Sequence, residues 1–146
     1  TTPLWRELEK YAVRIGGGTN HRMGLYDMIL IKDNHIDASG GVRQALGKAR
    51  KNNIAGKKIE IEVRTLDELR QALEEGGADI IMLDNMSPSE VREAVSLGKG
   101  KAMLEASGGI NLTNLEEYAQ TGVDAISVGA LTHSVKAMDL SLVMEK

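Results

Sequence analysis

Apolar positions recur along the chain in two alternating patterns. Short apolar or strictly alternating segments predict β-strands at 28–31, 59–63, 80–83, 102–106 and 125–128. Apolar residues at helical spacing predict helices around 42–49, 66–73, 91–95 and 115–119, and a further helix at the start of the chain with Leu4, Leu8, Tyr11 and Ile15. Strands that alternate with helices are typical of a parallel α/β fold.

Polar motifs predict where several of these helices begin. Thr2-Pro3 places a proline in a first helical turn, where the missing N–H has no intrahelical partner in any case. Capping boxes at 65–68, 87–90 and 113–116 predict three further helix starts. In the tail, Leu140 and Leu142 alternate with polar residues.

Two sheet topologies fit this order of elements. One is an open doubly wound sheet, and the other is part of a (β/α) barrel, which in complete form needs about 250 residues. The chain has 146 residues and five predicted strands, and it begins with a helix where the alternation predicts a strand. We therefore expect one domain over 1–146, an incomplete barrel whose upstream element is lost by truncation or proteolysis or is supplied by a separate chain.

The strands predict one apolar face and one face that carries charge, because residues two apart on a strand share a side. Glu60 and Glu62 share a face between apolar neighbours. Ligands bind at the carboxyl ends of the strands in barrels and in open α/β sheets. The charged residues that would meet there are Lys32, Glu62, Asp84 and Glu105. The alternative is a buried ion-pair network without function, for example Lys32 with Glu62.

Composition excludes several classes of function. The net charge of −3 gives no general attraction to nucleic acid, and an aromatic content of 3% without Phe disfavours base stacking. The sequence has no apolar run of about twenty residues, so we predict no transmembrane helix, and its first residues lack the features of a signal peptide. The absence of cysteine rules out disulfides and thiolate metal sites and is consistent with a cytoplasmic protein.

Two glycine-containing segments resemble phosphate-binding loops. Ser107-Gly108-Gly109 and Ser127-Val128-Gly129 each follow one of the last two predicted strands. Glycine lets backbone N–H groups approach an anion, and barrels often bind phosphate on the loops after their last two strands. His133 lies just beyond and adds a possible donor. Plain turns and an exposed His133 are the alternative.

The glycine-rich loop before the first strand carries a pair of candidate cations. His21 and Arg22 suit a carboxylate ligand, and a solvated basic loop is the alternative. The three histidines of the chain are scattered, which argues against a His-ligated zinc. A Mg²⁺ held by carboxylates and substrate phosphates stays open. Motifs of nucleotide hydrolases, dinucleotide enzymes and serine hydrolases are absent from the sequence.

Five segments together resemble the motifs of quinolinate phosphoribosyltransferase, the carboxylating nicotinate-nucleotide pyrophosphorylase. They are 20–22 (NHR), 25–35 (LYDMILIKDNH), 80–86 (IIMLDNM), 105–110 (EASGGI) and 127–134 (SVGALTHS), and the resemblance covers essentially the whole chain. It implies a barrel enzyme that transfers a phosphoribosyl group from phosphoribosyl pyrophosphate to quinolinate. Decarboxylation then gives nicotinate mononucleotide, pyrophosphate and CO₂ for NAD synthesis, and Mg²⁺ accompanies the pyrophosphate.

The resemblance also implies a role for each candidate residue. The positions that match the quinolinate-binding cations of the family are His21, Arg22 and Lys32. Glu62 and Asp84 match the carboxylates that hold the ribose hydroxyls and favour positive charge at C1, and with Lys32 they are the candidate catalytic residues. The positions that match the contacts to the 5′-phosphate are Ser107, Gly108, Gly109 and Gly129, with His133 beside them. The resemblance leaves the metal ligands unidentified.

The family pattern contains more than the segment matched by this chain. In the family an N-terminal α/β domain comes first, then a barrel strand ending in Thr-Arg-Lys-Thr, and an arginine crosses a homodimer interface. The resemblance therefore implies that this chain is the C-terminal barrel portion without the first barrel strand. One alternative is a non-catalytic fragment that binds phosphate ligands or needs an upstream piece. The other is a related molybdenum-transport protein with a different acceptor.

Overall fold

Five parallel strands form the centre of the molecule in the computed structural model, which describes residues 1–145. They are β1 (Ile29–Ile31), β2 (Ile59–Val63), β3 (Ile80–Asp84), β4 (Met103–Ser107) and β5 (Ala125–Ile126). Each strand pairs in parallel with the next one along the chain. This sequential order is that of a (β/α) barrel, whereas a doubly wound sheet reverses its order at a switch point.

Helices precede the first strand, connect consecutive strands and follow the last strand. They are α1 (Arg6–Ile15), α2 (Asp33–Ser39), α3 (Val42–Asn52), α4 (Leu66–Glu75), α5 (Pro88–Gly98), α6 (Leu115–Ala119) and α7 (Ala130–His133). Within residues 1–145, β1 and β5 are the outermost strands and do not pair with each other. The fold is thus an open part of a barrel, and the predicted fold class is confirmed. Among these residues, no helix has the length and apolar character that a membrane span requires.

One face of the sheet packs under the helices. Ile61, Leu83 and Ala106 on the three central strands are fully buried. The helical side chains that share their core include Leu46, Leu69 and Val91. Each fully buried side chain of this size stabilises the fold by about 1.5–3 kcal/mol relative to exposure. The predicted apolar face is confirmed, and the charged side chains are left to the opposite face.

Two helices begin at the capping motifs predicted for them. The Thr65 hydroxyl accepts the N–H of Glu68 at 3.1 Å at the start of α4. Ser87 and Glu90 form a complete capping box at the start of α5. Each such cap satisfies a backbone N–H that the helix cannot, which stabilises the helix by about 1 kcal/mol.

Two other predicted helix starts are wrong. The first helix begins at Arg6 and not at Thr2-Pro3, because Leu4 has a φ of 71°, which is outside the right-handed helical region. The helix predicted from 113–116 begins after Asn114, because the Thr113 hydroxyl donates to Asn111 Oδ1 at 2.6 Å and forms no cap.

The sequence patterns also misrepresent two other segments. α2 follows β1 directly and is not predicted, since its residues are mostly polar and Ile36 is its one buried residue. The alternating Leu140 and Leu142 lie in a stretch without helix or strand and are exposed.

The first helix turns its apolar side outward. Leu8, Tyr11 and Ile15, which share one side at helical spacing, are more than half exposed. Lys10 on the same helix is buried, at 8% exposure. The polar side of α1 therefore faces the loop before β1, where Lys10 Nζ donates to the carbonyl of His21, the reverse of the usual arrangement of an amphipathic surface helix.

Candidate active site

A cavity of about 450 Å³ lies at the carboxyl ends of the strands. Its wall includes predicted site residues from the loop before β1 and from the carboxyl end of every strand except β3. They are His21, Arg22, Lys32, Glu62, Ser107 and Gly129. α1 adds the cations Arg6 and Lys10. The volume is in the range of small-molecule sites in proteins.

Lys32 and Glu62 form an ion pair in this wall, with Nζ and Oε1 3.1 Å apart. The register of β1 and β2 sets Ile31 opposite Ile61, so the next residues of the two strands come side by side. The ion pair named as an example of the structural alternative is therefore present, but as a single, partly exposed pair and not as a buried network. The Lys32 side chain is 48% exposed, however, and a pair this open contributes only about 0–1 kcal/mol, so its ammonium is available to a ligand carboxylate.

Asp84 ends β3 on the same side of the sheet as Met82, which lines the cavity. Its Oδ1 accepts the side-chain amide of Asn85 at 3.0 Å. In the described part of the chain, Asp84 is not one of the cavity-lining residues. The structure thus brings Asp84 to the border of the site and not into its wall.

The two glycine segments enclose a second cavity of about 410 Å³. Its wall includes all the predicted phosphate contacts, Ser107, Gly108, Gly109, Gly129 and His133. Ser107, Ser127 and Gly129 line both cavities. The structure therefore joins the predicted phosphate loops to the predicted carboxylate-binding region through a shared wall.

Glycine is required at position 108 of this wall. Gly108 has a φ of +94°, and a Cβ there would lie 2.3 Å from the side-chain oxygen of Asn85. A side chain would therefore be both strained and in collision. At Gly129 a Cβ would lie 2.8 Å from His133 Nε2, so glycine lets the His133 ring approach the second loop.

A buried acidic cluster lies beside the larger cavity. Glu60 is fully buried and its Oε2 is 2.7 Å from His21 Nε2. Glu105 is 5% exposed and accepts the hydroxyl of Ser127. One side-chain atom from each of His21, Glu60 and Glu105 lies within 4.8 Å of the other two. Glu60 Oε1 is buried and has no hydrogen-bond partner among residues 1–145.

Two groups of this cluster have displaced pKa values. The hydrogen bond to Glu60 raises the pKa of His21, and the negative charges of Glu60 and Glu105 add to it against the effects of burial and Arg22. Burial raises the pKa of Glu105, and the charge of Glu60 adds to that, while Ser127 and His21 oppose it. The cluster therefore favours the protonated forms of both His21 and Glu105 relative to the free side chains.

Lys10 fixes the loop that carries His21. Its Nζ donates to the carbonyl of His21 at 3.0 Å, and the Asn20 side chain donates to the carbonyl of Lys10 at 2.8 Å. Burial lowers the pKa of Lys10, as does Arg6, while Asp27 raises it. α1 thus positions the loop over the carboxyl ends of the strands.

Sequence reasoning misses Lys10 as a member of the site, and it misses the contacts that Glu60 and Ser127 make there. Glu60 was detectable in part, because alternation puts a carboxylate on a strand between two buried residues, where it needs a partner. Lys10 carries no such signal, since it lies among exposed neighbours on a polar helix side. Ser127 was noted as part of a phosphate loop, but its bond to Glu105 depends on the pairing of β4 with β5.

Comparison with known proteins identifies the family. Residues 1–143 match the model of the quinolinate phosphoribosyl transferase C-terminal domain. The chain is 54% identical to a probable carboxylating nicotinate-nucleotide pyrophosphorylase of Methanocaldococcus jannaschii, over 97% of this chain and 52% of the relative. It is 52% identical to the probable enzyme of the same name from Bacillus subtilis, over 97% of this chain and 49% of the relative.

A solved structure agrees with these matches. The nicotinate-nucleotide pyrophosphorylase of Francisella tularensis superposes with a TM-score of 0.91 at 52% identity, covering 97% of this chain and 50% of that one. The chain spans about half the length of the curated relatives it matches. From its sequence and its fold, the chain belongs to the quinolinate phosphoribosyltransferase family.

Proposed function

We propose that this chain carries the catalytic site of an enzyme that transfers phosphoribose from phosphoribosyl pyrophosphate to quinolinate and releases pyrophosphate and CO₂. The observation that supports this best is the wall shared by the two cavities. Cations line the larger cavity, glycine loops line the smaller one, and Ser107, Ser127 and Gly129 belong to both. This arrangement suits an anionic ring compound beside a sugar phosphate.

Quinolinate is a dicarboxylate, and its binding requires positive charge. His21, Arg22 and Lys32 lie in the wall of the larger cavity and bind its two carboxylates. Arg22 supplies a planar fork that matches a carboxylate, and Lys32 exchanges the carboxylate of Glu62 for that of the substrate. Fixing both carboxylates directs the ring nitrogen toward the sugar.

The ring nitrogen then attacks C1 of the ribose, and the bond from C1 to the pyrophosphate oxygen breaks. Positive charge develops on the sugar in this step, and the carboxylates Glu62 and Asp84 stabilise it while holding the hydroxyls. The 2-carboxylate departs as CO₂ and leaves its electron pair on the ring carbon. The pyridinium nitrogen stabilises that pair until a proton replaces it, so nicotinate mononucleotide is formed.

The 5′-phosphate of the sugar binds in the smaller cavity. Gly108 and Gly109 both have positive φ, so the loop after β4 exposes backbone to the ligand. Ser107 and Gly129 add donors from the shared wall, and His133 adds an imidazole from the far side.

Mg²⁺ accompanies the pyrophosphate in this proposal. The ion prefers carboxylate, water and phosphate oxygens. Glu62 and Asp84 offer such oxygens at the ends of their strands and fit the ion. The cluster of His21, Glu60 and Glu105 offers a nitrogen beside buried oxygens, of which Glu60 Oε2 and Glu105 Oε1 are already engaged, and it fits the ion less well. Glu62 and Asp84 would hold the ion together with substrate phosphates, and the bound ion would neutralise the charge of the leaving group.

The proposed enzyme acts as a homodimer in the cytoplasm. The exposed apolar side of α1, which comprises Leu8, Tyr11 and Ile15, supports self-association. Apolar surfaces of this kind mark sites of protein interaction more often than free surface. The absence of cysteine is consistent with the compartment.

The decisive measurement is the release of pyrophosphate from phosphoribosyl pyrophosphate by this chain with Mg²⁺, with and without quinolinate. We expect release that depends on quinolinate and that falls by about a hundredfold in Glu62→Gln, because that carboxylate faces developing charge. Glu117→Gln, an exposed surface change, is the matched control. Quinolinate binding without release would favour a non-catalytic fragment, and release with a different acceptor only would favour the molybdenum-transport relative.

A further inference from the structure

Glu60 has an environment that requires explanation beyond the proposed reaction. The side chain is fully buried, Oε2 contacts His21 Nε2 at 2.7 Å, and Oε1 has no hydrogen-bond partner in the described part of the chain. Burying a carboxylate is costly unless a positive group lies against it. His21 is the group in contact that supplies this charge.

Glu105 does not compete for the positive charge of His21. Two ionised carboxylates within the span of this cluster repel each other. Burial raises the pKa of Glu105 and the neighbouring Glu60 adds to that effect. Glu105 accepts the hydroxyl of Ser127, whereas Glu60 is the carboxylate in contact with the His21 ring.

We propose that Glu60 is a positioning residue that holds the His21 imidazole charged and fixed in orientation at the wall of the cavity, where it binds a substrate carboxylate. This inference rests on the proposed function. Because Nε2 of His21 is taken by Glu60, Nδ1 is the donor that remains for a ligand. The His21 side chain is 31% exposed, so this ring reaches the cavity while its counter-charge stays out of water.

Charged groups on the surrounding elements act on His21. Glu60 on β2 and Glu105 on β4 favour its charged form, and Arg22 in its own loop opposes that form. Lys10 on α1 binds the His21 carbonyl and fixes the backbone. The balance of these charges predicts that the pKa of His21 lies above its ordinary value of about 6.5. Its affinity for a carboxylate is retained below the raised pKa and is lost as the pH rises past it.

The first test is an NMR titration of the His21 imidazole in this chain, with His21→Asn to assign the signal. We expect a midpoint above about 6.5, and we expect Glu60→Gln to lower it by about one unit, a tenfold loss of proton affinity. Glu117→Gln is the control and leaves the midpoint unchanged. A wild-type midpoint at or below about 6.5 overturns the proposal, and this measurement does not depend on whether the variant folds.

The second test is the affinity for quinolinate as a function of pH. In Glu60→Gln we expect affinity about tenfold weaker than wild type at pH near 8, with most of the loss recovered near pH 5.5, where the free imidazole charges unaided. A merely structural role would weaken binding equally at both values, and that result, or unchanged affinity, overturns the proposal. If wild type binds no quinolinate, the proposed function fails, while the titration still decides the role of Glu60 toward His21.

Discussion

Two ion pairs of the candidate site differ in how far water reaches them. Lys32 pairs with Glu62 in an open wall, and the pair is weak because water screens it. His21 pairs with Glu60, which is fully buried, so this contact persists when the cavity changes its contents. At the scale of single residues, the proposed function therefore makes Lys32 a cation that exchanges its partner and keeps His21 in contact with Glu60.

Replacing Lys32 tests the exchangeable cation. We expect Lys32→Ala to weaken quinolinate binding tenfold or more, because a hydrogen bond between charged groups contributes about 1.5–3 kcal/mol. The free energy of unfolding should change by less than about 1 kcal/mol, since the pair with Glu62 is exposed. Calorimetric titration and denaturant unfolding measure the two quantities.

The exposed Lys101→Ala is the matched control for this variant and should leave both quantities unchanged. Wild-type affinity in Lys32→Ala would show that the ammonium does not contact the substrate.

At the scale of elements, the site depends on the connections that follow the strands. Sequential parallel pairing brings the ends of β4 and β5 together, so the loops after them share one wall. The loop after β4 also contacts the turn after β3, because the Asn85 N–H donates to the carbonyl of Ser107 at 2.9 Å. Asn85 itself has a φ of 56°, so two consecutive loops adopt left-handed backbone to fit each other.

A pair of glycine substitutions tests this fit. Gly108→Ala should destabilise the chain by about 1–3 kcal/mol through backbone strain alone and should weaken binding of phosphoribosyl pyrophosphate. Gly47→Ala, in the middle of α3 with open space around it, should stabilise the chain by about 0.5–1 kcal/mol and leave binding unchanged. Thermal unfolding and ligand titration distinguish them. Equal effects of the two changes would contradict the proposed packing of the loop.

The sequence predicts the strands and their faces well, because residues two apart on a strand share a side, so alternating apolar and polar residues separate the two faces. Ile61 faces the core and Glu62 faces the cavity as expected. The pair of His21 with Glu60 could not be predicted, because it depends on how α1 and the loop after it lie over the sheet. α2 is missed for a related reason, since a short polar helix takes its stability from its caps and from tertiary packing and not from its own pattern.

At the scale of the whole molecule, the outward apolar side of α1 is the largest departure from expectation. Helical periodicity identifies an amphipathic helix, but it does not say which neighbour covers the apolar side. Here the buried Lys10 holds the polar side against the site. The same helix therefore lines the cavity with one side and exposes its apolar side, which the proposed self-association would cover.

Self-association through this surface is measurable by sedimentation. We expect the chain to sediment as a dimer at micromolar concentration and Leu8→Glu to shift it toward monomer, because a charge in an apolar interface is costly. Leu112→Glu, at an isolated exposed leucine outside α1, is the matched control and should leave the dimer intact. A monomer in wild type, or equal loss in both variants, would contradict a role for α1.

The lengths of the two outermost strands limit unwanted pairing. β1 has three residues and β5 has two, whereas each of the strands between them has five. Unpaired N–H and C=O groups along a long, flat border are a template for aggregation, and natural proteins shorten such borders. A foreign strand would find only two or three residues of ladder on either side of this sheet. Among residues 1–145, neither outermost strand therefore presents the long, flat border that seeds fibrils.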